Sequence, residues 1–270
     1  MIFGFIVSWV ALASATLVQT ASGPRVPSGK WHLSNAHSQC IALRDYGTED
    51  GSPRLILKAS PLGEVVQVGI LRDAARIAPE QLDATIAIGE RPPLGTSLMM
   101  FSPAGSRQRV YLLNMPSTEF AAVRQAKTLS LHSEGLNETL ALSQMEPLMK
   151  VMDECVANLR REFNIAGSGP EATGLQTRAR GNIVKLFSSD DYPAVAYRSG
   201  QGGRVKFALL IQEDGRVADC TIVETSGVPS LDTQACAKLK ARAKFQPARS
   251  ADGKPAKDSF IGAIVWRMPS

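Results

Sequence analysis

The sequence predicts an α+β protein. An N-terminal β-rich domain closed by a helix is followed by a C-terminal domain with a three-stranded antiparallel/mixed sheet and two helices. Three observations carry this expectation. Short alternating apolar runs separated by Gly, Pro, Asp and Ser clusters fill residues 31–165. A single long helical stripe ends that region at Met145–Phe163. The last third then reads helix, strand, hairpin, strand, helix, strand.

The chain has 270 residues, 44% hydrophobic, enough to bury two ordinary cores. Ile2 to Val18 is almost wholly apolar, slightly short for a spanning helix and suited to a secretory signal. Ala13-Ser14-Ala15 offers an A-x-A cleavage site, although no Lys or Arg precedes the apolar run. Residues 1–21 are read as a signal peptide or signal anchor, with the cleaved signal favoured. Either form sends the remaining chain to the periplasm.

In the 31–165 region, strands are expected at Ser38–Arg44, Arg54–Ala59, Val65–Leu71, Asp83–Ile88, Ser97–Phe101, Arg109–Asn114, Thr128–His132 and Glu138–Leu142. Ser117–Lys127 is expected as a short helix. Met145–Phe163 is the stronger one, with Leu148, Met152, Cys155, Leu159 and Phe163 along one face. The region matches no family by its motifs. Ala166–Asn182, rich in Gly, Ser and Thr, reads as a flexible linker with a root-mean-square span of about 20 Å.

The 183–270 region is the most legible. Asp190 and Asp191 are placed to cap a helix beginning near Pro193. Val205, Phe207, Leu209 and Ile211 alternate with Lys206, Ala208, Leu210 and Gln212, the period of a half-buried strand. Asp214-Gly215 predicts a type I′ hairpin turn. Cys220 and Ile222 share a face of the returning strand, but Val217 is out of phase, which predicts a bulge near Ala218-Asp219. A helix follows with Ser230 as N-cap, Asp232 in its first turn, a stripe of Leu231, Ala235, Cys236, Leu239 and Ala243, and a stop at Pro247. Phe260–Met268 is the last strand. The intervening helix carries the chain back across the sheet, so this strand is expected beside the first one, parallel to the second, and at an edge. Only Arg267 adds a charge there, which leaves the edge open to an extended peptide.

Four cysteines allow three pairings, and the domain split selects Cys40–Cys155 and Cys220–Cys236. The alternative is four small buried hydrophobes. Chemistry finds little support. His32, His37 and Cys40 lack a second ligand cluster, so no metal is expected. Asp45, Glu49 and Asp50 read as a solvated turn rather than a calcium loop. Gly200-Gln201-Gly202-Gly203 precedes a strand, whereas a phosphate cradle leads into a helix. No cofactor and no catalytic residue is assigned, and the chain is read as a non-enzyme. The net charge of +5 concentrates near a helix end without interleaved aromatics, so no nucleic acid partner is expected.

Tyr192-Pro193, the Gly-rich entry at 200–203, Asp214-Gly215-Arg216-Val217, Ser226-Gly227, Leu231-Asp232 and Phe245-Gln246-Pro247-Ala248 together resemble the C-terminal domain of TonB-type energy transducers, over about residues 184–270. The resemblance implies a periplasmic protein that binds a short peptide of an outer-membrane receptor by strand addition. The residues it puts at the contact are Phe260, Ile261, Gly262, Ala263, Ile264, Val265, Trp266 and Arg267. It also implies an inner-membrane proton-driven motor as partner, provided the N-terminal segment is an uncleaved anchor. The alternatives are self-pairing through the edge strand, or a periplasmic adaptor that uses the fold as a scaffold.

Overall fold

The computed structural model describes residues 23–34, 39–62, 65–103, 105–165 and 174–268. The apolar 2–18 stretch, His37 and Ser38 lie outside these residues. Among the described residues, no helix is long and apolar enough to cross a membrane.

A nine-stranded antiparallel sheet occupies the first half of the chain. Its strands are β1 (His32–Ser34), β2 (Cys40–Asp45), β3 (Arg54–Ala59), β4 (Val65–Asp73), β5 (Glu80–Ile88), β6 (Leu94–Phe101), β7 (Gln108–Pro116), β8 (Thr128–Ser133) and β9 (Leu136–Ala141). They run in the spatial order β1-β2-β3-β4-β7-β6-β5-β8-β9. Helix α1 (Ser117–Phe120) passes into a 3-10 turn at Ala121–Arg124, and α2 (Met145–Glu162) packs its Met145, Leu148, Met149, Met152 and Leu159 into the same core. Each of the eight predicted strands and both helices is present, with ends displaced by a few residues; β1 had no sequence signal, being three residues long.

This sheet rolls until its two ends meet. Arg25 bridges to Leu140 on β9 in parallel, while the amide of Ser28 donates to Asp45 O at the end of β2. Tyr46 Oη donates to Ala141 O at 3.0 Å and Arg44 Nη1 to Ser143 O at 2.6 Å. Alternate side chains point inward and fill the space, so the roll is a packed core and not a channel. Cys40–Cys155 ties β2 to α2.

The remaining elements are β10 (Leu175–Thr177), α3 (Ala194–Arg198), β11 (Gly203–Ile211), β12 (Val217–Glu224), α4 (Pro229–Arg242), β13 (Ala248–Ser250), β14 (Pro255–Ala256) and β15 (Asp258–Trp266). The main sheet here has the order β12-β11-β15, with β11 antiparallel to both neighbours and β15 therefore parallel to β12. A second small sheet orders β10-β13-β14. Helix α4 lays Leu231, Ala235 and Leu239 against Phe207, Leu209 and Ile222, and Cys220–Cys236 joins β12 to it. The predicted bulge is found: Leu210 pairs with Asp219 but Ile211 pairs with Val217, leaving Ala218 as the extra residue.

Several local expectations are corrected. Gly215 alone in the hairpin has positive φ, and its amide donates to Gln212 O. The tip is thus a type I turn followed by a left-handed residue, not type I′. A Cβ at Gly215 would lie 1.9 Å from Phe245 O, so glycine is required there on two grounds. Ser230 is not the N-cap of α4; Val228 is, and Pro229 opens the helix. Asp232 instead turns back to accept from the Thr225 hydroxyl and from both the amide and hydroxyl of Ser226. The acidic pair does not cap α3. Asp191 accepts from the Ser188 amide and is buried against α4. Helix α4 ends at Arg242, ahead of Pro247, because Lys244 to Gln246 is extended between Arg216 and Arg180. Within the stretch read as a flexible linker, Leu175–Thr177 forms β10 against β13, and Arg178 grips Asp258.

The two hydrophobic clusters meet. Leu210, on the outer face of β11, joins the larger core, and Ala218 packs against it. Asp219, 2% exposed, accepts from Gln39 Nε2 at 2.7 Å and pairs with Lys58 at 3.2 Å and Lys240 at 3.5 Å. Thr221 Oγ1 donates to Ser60 Oγ at 2.6 Å.

Candidate docking edge

Strand β15 pairs with β11 from Asp258↔Ile211 to Trp266↔Gly203 without a break in register. Its other side faces no strand among the described residues. Among the described residues, the backbone groups on that side pair with no strand, and only the Ser259 carbonyl meets a side-chain donor, Arg178 Nη2 at 3.3 Å; such a row is the feature by which a sheet recruits an additional strand.

The side chains divide by parity. Phe260, Gly262, Ile264 and Trp266 turn toward α4 and the smaller core. Phe260 packs on Phe245 at 5.0 Å between centroids, and Trp266 meets Phe187 and Tyr192 edge-on at 5.5 Å. Gly262 is required by closeness, since a Cβ would sit 2.8 Å from Phe207 Cζ. Ile261, Ala263 and Val265 face solvent; Ile261 is 57% and Val265 54% exposed, unusually high for large apolar side chains. Arg267 is exposed just beyond the strand. All eight predicted site residues thus lie on the edge strand or at its end, but four of them present only backbone to an incoming chain.

The edge strand is anchored at both ends. Asp258, fully buried at its start, accepts from Arg178 Nε and Nη2 and from the Ala179 amide at 2.7 Å. At its far end the Trp266 ring sits in the aromatic cluster. Docking onto the rolled sheet covers the β12 side of the small sheet; Lys257, just ahead of β15, also meets the end of α2 by pairing with Glu162 and giving its carbonyl to Asn164 Nδ2 at 2.8 Å, while Ile261, Ala263 and Val265 stay exposed. That cover was missed in the sequence, although Ala208 and Leu210, apolar at positions phased outward on β11, are its signal. Among the described residues, no group of three or more His, Cys, Asp or Glu side chains is placed to hold a metal.

No curated protein matches this sequence. Residues 188–268 match the family described as Gram-negative bacterial TonB protein C-terminal, so over its last third the chain carries a TonB-like domain.

Proposed function

We propose that the protein works in the periplasm by presenting β15 to an extended segment of an outer-membrane receptor, which adds as a fourth strand to the small sheet. The observation that carries this reading is the unpaired outer side of β15, combined with a row of exposed apolar side chains and no proline or charge between Phe260 and Trp266. Main-chain hydrogen bonds would supply the affinity, and Ile261, Ala263 and Val265 would select apolar side chains on the incoming strand. The packing of this unit on the rolled sheet favours a fixed presenter of the edge over a domain swinging on a long tether.

Titration of the isotopically labelled protein with synthetic periplasmic segments of outer-membrane receptors tests this directly. A bound segment is expected to shift the amide signals from Ile261 to Arg267 and slow hydrogen exchange at alternate positions. Binding that leaves those amides unmoved would remove the proposal.

A further inference from the structure

The rolled sheet carries a second feature that the docking edge does not use. Arg72 on β4 and Arg109 on β7 are direct cross-strand partners. Both have the inward phase of their strands: Val68 and Ile70 precede Arg72, Tyr111 and Leu113 follow Arg109, and all four belong to the core. Like charges placed opposite each other on one face of an antiparallel pair repel. A sequence selected only for a stable sheet has no reason to put them there.

Their surroundings sharpen the problem. Glu138, inward on β9 between Leu136 and Leu140 and 1% exposed, reaches across the roll to pair with Arg72 and accepts from Arg25 Nε at 2.7 Å. Arg109 Nη2 donates to Ala75 O at 3.3 Å. Tyr111 Oη, beside Arg72, donates to Gly135 O. Two guanidinium groups, those of Arg25 and Arg72, therefore share one carboxylate, and Arg109 turns to a backbone carbonyl. Asp73 lies next to Arg72 in sequence but is exposed and phased outward, and Asp45 is engaged by Arg54. Above all, Arg72 Nε and Arg109 Nε are buried and meet no hydrogen-bond acceptor among the described residues, and Glu138 Oε1 in the same cluster is likewise without a hydrogen-bond donor. Buried donors are normally satisfied, and an orphaned one signals an absent partner. Burial also pushes the Arg72 guanidinium below its ordinary pKa, with Arg25 adding to that and Tyr111 opposing it.

We infer that this mouth of the rolled sheet binds a small oxyanion, a carboxylate or a phosphate, held between the Arg72 and Arg109 guanidinium forks with Arg25 at the solvent side. An oxyanion would accept from both orphaned Nε–H groups and offset the excess of two positive charges. The core closes the roll beneath these residues, so the oxyanion is either a free ion or the anionic end of a molecule lying outside. This inference does not depend on the docking edge.

Calorimetry and thermal unfolding of the full chain with inorganic phosphate, and separately with succinate, against sodium chloride at matched ionic strength, form the test. Saturable binding and a rise in melting temperature are expected with at least one of the two, and the preferred one identifies the class. Arg109→Gln relieves the cross-strand repulsion while leaving the Arg72–Glu138 pair intact. It is expected to melt no lower than the parent in chloride, and to bind about ten-fold more weakly or worse. The Nε–H signals of Arg72 and Arg109 in the parent protein should shift on titration, a readout that needs no variant. A response no larger than that to chloride, unmoved Nε–H signals, or undiminished binding by Arg109→Gln would each overturn the inference.

Discussion

Asp191 accepts from Arg242 Nη1 at 2.6 Å, pairs with Lys238 at 2.8 Å, and takes the Ser188 amide. The Arg242 hydrogen bond, then that of Lys238, holds its carboxyl well below the usual range. Asp232 moves the other way: burial raises its pKa, while its Thr225 and Ser226 donors only partly oppose the shift. The signs follow from linkage. Asp191 stabilises the fold above the ordinary carboxylate pKa of about 3.9, and that contribution fades as pH falls through its lowered value. Asp232 contributes fully only below the ordinary value, and loses that contribution as pH rises through its raised one. Asp191→Asn is therefore expected to cost about 1.5–3 kcal/mol at neutral pH and to flatten the acid side of the stability profile. Asp232→Asn keeps acceptors for Ser226 and should cost about 1 kcal/mol at most, with the cost shrinking as pH rises. Urea midpoints measured from pH 3 to pH 8 check both. Neither role was legible in sequence, where Asp191 read as a helix cap and Asp232 as a dipole partner. A short acidic side chain pairs through space with whatever cation the fold brings near, and here that cation stands 51 residues away. The Arg72, Arg109 and Glu138 cluster did leave a trace, as charges at positions where the period of two calls for apolar residues.

At the scale of elements, legibility followed periodicity. β3 was placed to the residue by its alternation, and the phase slip at Val217 located the Ala218 bulge. β10, β13 and β14 are two or three residues long, and β14 begins with proline, so no period exists to read. They form because Asp258 anchors Arg178 and draws the chain alongside. Both disulfides were deducible once the domain split was assumed, because each pair falls within one packing unit. Their expected contributions differ by loop length. Cys220–Cys236 spans 16 positions, and replacing both residues is expected to lower stability by about 3 kcal/mol. Cys40–Cys155 spans 115 and should cost closer to 4.7 kcal/mol in the same chain-entropy account. Guanidinium titration of the two double variants, followed by tryptophan fluorescence, measures the order.

At the scale of the whole molecule, the question is whether the TonB-like unit and the rolled sheet behave as one body. The contact combines apolar insertion by Leu210 and Ala218 with a buried charge cluster at Asp219. Burial lowers the Lys58 pKa, and the pairing with Asp219 opposes that shift. Removing the carboxylate by Asp219→Ala strands Lys58 and is expected to cost about 3–5 kcal/mol, since a lone buried charge loses its partner but not its desolvation. Leu210→Ala opens a cavity at the seam and should cost about 2–5 kcal/mol. The two act on one interface, so their effects should not add. Calorimetry of the parent should show a single cooperative transition, and the double variant should split it into two, one per hydrophobic cluster. Since Leu210 on β11 and Asp219 on β12 lie away from the outer side of β15, receptor-segment binding there should survive in the double variant below the first transition. Loss of that binding at temperatures where the small sheet remains folded would mean that the rolled sheet shapes the docking edge itself.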